Sequence, residues 1–477
     1  MRHAPILALT LGVLLLAGCR STPPPRDTTA VDGIATDWAA PGRGQAGAEV
    51  TDRWWEVFGD AGLNAAVDEA LAQNHDIRAA ASRIEVAMAE ARVAGAALSP
   101  KLDATASGSR RRTNADTGSG DTIAIYTDSV GISLDLSWEL DLWGRIRADE
   151  SAATARWQAS QADYAGARLS IAGQTVKAWL ALAEAEEQFA LAQHTLESFT
   201  ATARRAGDRV DAGVQSPGDK HLTQANVASA RGLVEQRREA LLRSRRQLEV
   251  LLGRYPAGVI KAGHGLPVTI APVTPGLPAD VIRRRPDLVA AERRLSAATE
   301  GVTSAKAALY PRISLSSSMG TSSDQLQDLL SGKYLIWNIA GNLVQPIMDG
   351  GRLRAQVAAN EGRAGEAVEI FAQQALVAFS EVENAMSTEA ILLAREAAQA
   401  DAMRLSSAAI QVSENRYLQG VETVIAVLES QRRSLDAQSA LLSVRRQRLT
   451  TRVDLYLALG GGVDAYLPDL SATPATP

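Results

Sequence analysis

Cysteine occurs once in 477 residues, at Cys19, so neither an intramolecular disulfide nor a cysteine-based zinc site can form. Lysine is almost as scarce, 6 against 43 arginines, and the net charge of −5 gives no electrostatic reason to expect nucleic acid as a partner. His75, His194, His221 and His264 are scattered, with no His-x-x-x-His pair. Gly460 to Gly462 lacks the lysine and the strand–helix setting of a phosphate loop. Neither catalytic residues nor a metal or other cofactor is expected, and the chain reads as something other than an enzyme. No run of 18 uninterrupted apolar residues occurs, which leaves no transmembrane helix in the mature chain. Proline is missing from 101–216 and from 347–467, so those two stretches are free to hold long regular elements.

What is present begins at the N-terminus. Arg2 and His3 precede an apolar run from Ile6 to Leu16. That run is too short for a bilayer, which needs about 20 residues, and fits a secretory signal. Leu16-Ala17-Gly18-Cys19 resembles the lipobox of bacterial lipoproteins, which implies lipidation of Cys19. In such lipoproteins Arg20 after the cysteine, rather than Asp, favours sorting to the outer membrane. Residues 1–18 then read as a signal peptide and 19–50 as a lipidated tether.

The chain repeats itself. Gly144, Arg145 and Arg147 recur 207 residues later as Gly351, Arg352 and Arg354, and Arg209, Gly213 and Gln224 recur as Arg416, Gly420 and Gln431. Upstream the offset is 211, linking Asp76 with Asp287 and Pro100 with Pro311. The four-residue difference must fall between Pro100 and Gly144. This gives a first repeat at 51–255, a Pro-rich linker at 256–285, a second repeat at 286–462 and a tail at 463–477. Ala, Leu, Gln, Glu and Arg dominate the proline-free stretches, predicting long helices over 143–253 and 349–460, each broken once by a hairpin turn. A helix of about 65 residues is on the order of 100 Å long. Leu222, Ala225, Val227, Leu233, Leu241 and Leu248 suggest a coiled-coil seam.

Before each long helix the period changes to two. Val130, Ile132, Leu134, Leu136, Trp138 and Leu140 alternate with polar or small residues, the pattern of an outer-membrane strand with one face to lipid. A half-buried strand of a soluble sandwich would show the same alternation, but the lipobox and long helices favour the membrane. Weaker candidates at 101–110, 313–319 and 335–343 complete two hairpins, about 101–142 and 312–347, with polar tips at 110–121 and 321–332. Arg110 to Arg112, at the first tip, read as a solvated loop in preference to a contact with lipopolysaccharide phosphates. Open edges are not tolerated in lipid and a closed barrel needs about eight or more strands, so four per chain require an oligomer of two or three copies.

These residues resemble the outer-membrane efflux protein family, in particular the TolC-like lipoprotein exit ducts of tripartite drug-efflux systems. The most specific stretches are Leu277-Pro-Ala-Asp-Val-Ile-Arg283-Arg-Arg-Pro286-Asp-Leu-Val-Ala-Ala-Glu292, Ala305-Lys-Ala-Ala-Leu-Tyr310-Pro311, Gly350-Gly351-Arg352-Leu353 and Leu428-Glu429-Ser430-Gln431-Arg432. The resemblance implies an α+β membrane protein. It would be a homotrimer whose long helices form a coiled-coil barrel, ringed by a mixed α/β belt and continuous with a transmembrane β-barrel. It also implies outer-membrane lipid as surroundings, and a periplasmic membrane-fusion adaptor and an inner-membrane pump, of RND type, as partners.

By the same resemblance the hairpin tips hold the functional residues. Gly213, Val214, Gly420 and Val421 become candidates for adaptor contact. Tyr417, Ile425, Glu429, Arg432 and Asp219 become candidates for a periplasmic gate, with Glu429 standing where the family usually has Asp. Arg283 to Arg285 read as structural partners of acidic residues. Two other functions stay open: a duct of the same fold for type I protein secretion, and a structural coiled-coil lipoprotein.

Overall fold

The computed structural model describes residues 38–40 and 50–462, apart from 117, 119 and 274. The signal peptide, Cys19 with most of the tether, and residues 463–477 lie outside the described residues. A 3-10 turn at Trp54–Phe58 leads into α1 (Ala61–Gln73), α2 (His75–Ala96), the hairpin β1 (Lys101–Asp116) and β2 (Thr122–Leu140), then α3 (Arg145–Asp211) and α4 (Pro217–Leu251). After an extended segment and the short α5 (Pro278–Arg284) the series recurs as α6 (Pro286–Ala307), β3 (Arg312–Ser323), β4 (Leu335–Val344), α7 (Arg352–Leu418) and α8 (Val424–Ala458).

From α2 and α6 onward the two series match residue for residue in their helices. α2 and α6 have 22 residues each, α3 and α7 have 67, and α4 and α8 have 35. Helix ends fall on the repeated glycines because those positions need a left-handed backbone. Gly144 and Gly351 have φ of 77° and 85°, and Gly213 and Gly420 have 73° and 78°. The strands and their connections differ in length, which is where the offset changes from 211 to 207.

The coiled-coil seam is displaced from its expected line. On α4 the buried positions are Thr223, Val227, Ala230, Val234, Leu241, Leu248 and Glu249, whereas Leu222 is 40% exposed and Ala225 faces solvent. A strict seven-residue spacing through 227, 234, 241 and 248 fixes the buried stripe, so Leu222 and Ala225 project to one side of it. The same stripe on α8 runs through Ser434, Leu441, Arg448 and Leu455.

Arg448 thus occupies the seam position that Leu241 fills in the first hairpin. Its charge is met by Glu396 of α7, which also accepts from Arg445 Nε at 2.8 Å, and Arg448 donates to the Val268 carbonyl at 2.8 Å. The residue equivalent to Glu396 in α3 is Phe189, which packs against the core cluster that includes Leu241 and lies under Arg238 at 6.0 Å. One repeat has an apolar pair where the other has a buried ion pair.

The largest core forms a belt around the middle of the long helices. Trp54, Trp55, Phe58, Leu63 and Val67 pack against Val176, Trp179 and Leu180 of α3, Leu248 of α4, and Val453 and Tyr456 of α8. The 256–273 segment is laid against this core by Glu249, whose carboxylate accepts from Gly258 N, Val259 N and Ile260 N at 2.6, 2.8 and 3.1 Å. Burial opposes the charge on Glu249, but those amides hold its pKa below the ordinary carboxylate value. Arg285 is buried and pairs with Asp287 and Glu381, whereas Arg283 reaches only Asp280 at the surface. Trp38 lies edge-on against Phe379, and Ala39 N and Ala40 N donate to Glu383 at 2.6 and 2.7 Å, fastening 38–40 to α7. Among the described residues the belt has helices and extended chain with a bridge residue at Val273.

All four strands form one antiparallel sheet in the order β1-β2-β3-β4, leaving β1 and β4 with one neighbour each. The first hairpin is longer than its polar sequence suggests. Pairing runs out to Asp116 opposite Thr122, so Arg110 to Arg112 belong to the ladder and not to a loop. Their polar side chains face Asp128, Thr127 and Tyr126, residues at home in a solvated strand. In the second hairpin β3 extends to Ser323, and the tip is shaped by 3-10 turns at Leu326–Asp328 and Gly332–Tyr334.

Candidate functional site

Register turns the period-two pattern into two chemically different faces. Leu102 pairs with Leu136, Trp138 with Leu315, Met319 with Trp337, and Ile313 with Leu343, so apolar residues of all four strands share one side. Val130, Ile132, Leu134, Leu136, Trp138 and Leu140 form its second row. Trp337 and Ile339 are 71% and 72% exposed in the single chain. The opposite side carries Asp103, Thr105, Ser133, Asp135, Ser316, Ser318 and Asn338. At its centre Asp135 accepts from Ser133 Oγ at 2.8 Å and Ser318 Oγ at 2.7 Å. Such a sheet suits lipid on one side and water on the other.

Two features hold this wall that the sequence did not announce. At Gly320 a Cβ would sit 2.1 Å from the Ile132 carbonyl oxygen, so β2 and β3 approach closely enough to demand glycine. Where the sheet meets the helices, Trp138 Nε1 donates to the Leu98 carbonyl at 3.0 Å, Trp143 Nε1 to that of Pro311 at 2.7 Å, and Trp143 stacks on Tyr310 at 5.0 Å. Amphipathic rings of this kind favour the interface between hydrocarbon and water.

At the far end of the long helices both turns use one motif. Val214 N bonds the Arg209 carbonyl and Val421 N bonds the Arg416 carbonyl, each at 3.0 Å, closing α3 and α7 around Gly213 and Gly420. Ser216 caps the returning α4 by accepting from Gly218 N at 3.2 Å, with Pro217 in its first turn. Val214 and Val421 stand out from these turns, 67% and 62% exposed.

The two turns also touch. Tyr417 is buried beside Phe199, Ala206, Val424 and Leu428. Its hydroxyl donates to Gln215 Oε1 at 2.7 Å, and Arg209 lies over its ring at 4.9 Å while donating to its carbonyl at 3.0 Å. Gln215 and Arg209 were not among the candidate gate or adaptor residues. The clue was the repeat itself, in which Arg209 is the counterpart of Arg416 yet stacks on a tyrosine that its own repeat lacks. Two turns inward, Glu429 accepts from Arg432 Nη2 and Arg433 Nε, both at 2.8 Å. Hydrogen bonding from Arg432, then Arg433, holds the Glu429 carboxyl below the usual range, and Glu429 in turn raises the Arg432 guanidinium. Ile425 is exposed on α8 and Asp219 sits half-exposed in the first turn of α4; neither joins the Glu429 cluster.

Among the described residues no group of His, Cys, Asp and Glu is arranged to hold a metal, and no helix is long and apolar enough to cross a membrane. The outer membrane efflux protein family matches residues 66–254 and 277–461. The pyoverdine export outer membrane protein OpmQ of Pseudomonas aeruginosa is 32% identical over 467 residues, covering 96% of each chain. Outer membrane protein OprJ of the same organism is 33% identical, covering 96% of this chain and 95% of its own. Among solved structures, the outer-membrane channel OprN has a TM-score of 0.85 at 28% identity over 95% of this chain and all of its own. The open state of the MtrE channel of Neisseria gonorrhoeae has a TM-score of 0.80 at 28% identity, over 90% and 96%. A two-faced sheet joined to repeated long helices and matched along nearly its whole length by such channels leaves one conclusion: the chain belongs to the outer membrane efflux protein family and is the outer-membrane channel of an efflux system.

Proposed function

We propose that three copies of this chain close into one exit duct, conducting toxic small molecules from a periplasmic adaptor and an RND-type inner-membrane pump to the exterior. The supporting observation is the four-stranded meander with an apolar side and two unpaired edges. Lipid does not tolerate such edges, and three copies supply twelve strands, enough to leave a channel where eight would fill with side chains. Helix packing points the same way. Within the chain α3 of the first repeat packs on α8 of the second, so repeat symmetry assigns the open side of α7, with Leu376, Ile391 and Leu393 exposed, to α4 of the next copy.

In this reading the repeats are units of 51–255 and 286–462, and lipidated Cys19 anchors the tether. Gly213, Val214, Gly420 and Val421 meet the adaptor, because two exposed valines on rigid turns offer an apolar docking point. Glu429 with Arg432, and Tyr417 with Gln215, hold the periplasmic end shut, with Ile425 and Asp219 lining the mouth. Deleting the gene from a strain without other exit ducts should raise susceptibility to several unrelated toxic compounds; unchanged susceptibility across a broad panel overturns the efflux role. The gate assignment is tested separately, by bilayer conductance of Glu429→Gln, which should exceed that of the parent channel.

A further inference from the structure

The outer end of the β1–β2 ribbon has no part in the wall or the tips. β2 pairs with β3 only over Val130–Leu140, so β1 and β2 continue alone beyond that point as far as Asp116 and Thr122. Alternation carries the lipid side of the sheet straight along this ribbon. Outward from Ala106 opposite Ile132 and Gly108 opposite Val130, the next pairs on that side are Arg110 opposite Asp128 and Arg112 opposite Tyr126. At about 3.4 Å per residue, Arg110 stands about 7 Å and Arg112 about 14 Å along the strand beyond the last apolar pair. Arg111 points to the other side.

Arg110 lies along the sheet over two neighbours on its own side. Its guanidinium lies 5.4 Å from the centroid of the Tyr126 ring, and its Nε lies 3.4 Å from Asp128 Oδ1. Lys333 sits in the 3-10 turn immediately outside Leu335, at the corresponding end of β4. Two guanidiniums and a tyrosine ring therefore edge the lipid-facing band on the side away from the helices, while Lys333 lies beyond the opposite edge strand.

We propose that Arg110, Arg112 and Tyr126 bind the phosphorylated head group of outer-leaflet lipopolysaccharide. The inference rests on the reading of this sheet as a membrane wall. At that depth the outer leaflet presents phosphates, which guanidinium forks hold in bidentate fashion, and a tyrosine ring suits the adjoining interface. The surface is shallow and continuous with the apolar band, which fits a lipid with its chains against the band better than a free phosphate ion. Asp128 shares this stretch and pairs with Arg110, Asp116 lies farther out on the same side, and Asp324 and Asp328 stand by Tyr334 at the far edge of the sheet.

Full-length protein in mild detergent would be titrated, by native mass spectrometry, with bisphosphorylated lipid A, monophosphoryl lipid A and phosphatidylglycerol. The parent trimer should prefer the bisphosphorylated lipid. Arg110→Gln with Arg112→Gln should weaken that binding by about tenfold or more, given the strength of charge-assisted pairs, while Arg111→Gln on the opposite side leaves it unchanged. Equal binding by the double variant, equal loss in Arg111→Gln, or phosphatidylglycerol binding as tightly as lipid A overturns the site. Should the double variant fail to assemble, the parent protein decides: no preference between the two forms of lipid A also overturns it. A parent protein that is monomeric throughout would instead refute the barrel reading, and the same spectra distinguish that failure from loss of the lipid on an intact trimer.

Discussion

The two hairpins solve one packing position in different ways, and exchanging the solutions tests how the fold is held. In the second, Glu396 and Arg448 are buried as an ion pair, with side-chain exposures of 10% and 5%. In the first, Phe189 and Leu241 occupy those positions and Arg238 lies over the ring. Arg448→Leu alone leaves Glu396 buried with only Arg445, and removing one partner of a buried pair costs about 3–5 kcal/mol. Adding Glu396→Phe recreates the first hairpin, giving Arg445 a ring to stack on as Arg238 has. The double variant then lacks only the bond from Arg448 to the Val268 carbonyl, worth about 1 kcal/mol, against a desolvation cost it no longer bears. It should fall within about 2 kcal/mol of the parent, so the two sites couple by about 2 kcal/mol or more. Thermal unfolding in detergent, followed by circular dichroism, should rank parent and double variant together and the single well below. A single variant as stable as the parent, or a double variant worse than the single, would refute the claim that repeat-equivalent positions are interchangeable.

Further outcomes follow from other sites. Tyr417→Phe removes one partly buried hydrogen bond to Gln215 per protomer, about 1 kcal/mol, and about 3 kcal/mol if three must part together, so bilayer recordings should show openings about a hundredfold more frequent. Gln215→Ala should match it without adding to it in the double variant. Because the folded pKa of Glu249 is depressed, its contribution is present above the ordinary value of 4.5 and is lost as pH falls through the depressed value. Glu249→Gln should therefore cost about 2 kcal/mol at neutral pH and flatten the acid limb of a melting-midpoint profile. Gly320→Val places side-chain atoms against the Ile132 carbonyl and should abolish assembled channel in outer-membrane fractions, whereas Gly108→Val, where a Cβ meets only Val130 at 3.9 Å, should be tolerated.

The sequence alone determined much of this protein. A run of alternating residues, two proline-free stretches and an offset of 207 residues were enough for the strand, the long helices and the repeat, because each depends on local periodicity or on glycines that need a left-handed backbone. The tips were legible for the same reason, since Gly213 and Gly420 mark the only breaks. Tertiary structure decided what depends on neighbours far along the chain. It moved Leu222 off the seam, put Arg110 and Arg112 into a ladder on the lipid side, and brought Gln215 to Tyr417 across 202 residues. Charged and polar residues in a strand or a seam give no local signal of the partner that satisfies them. Glu396, buried among arginines where its counterpart is a phenylalanine, looks like any exposed glutamate until two long helices lie side by side.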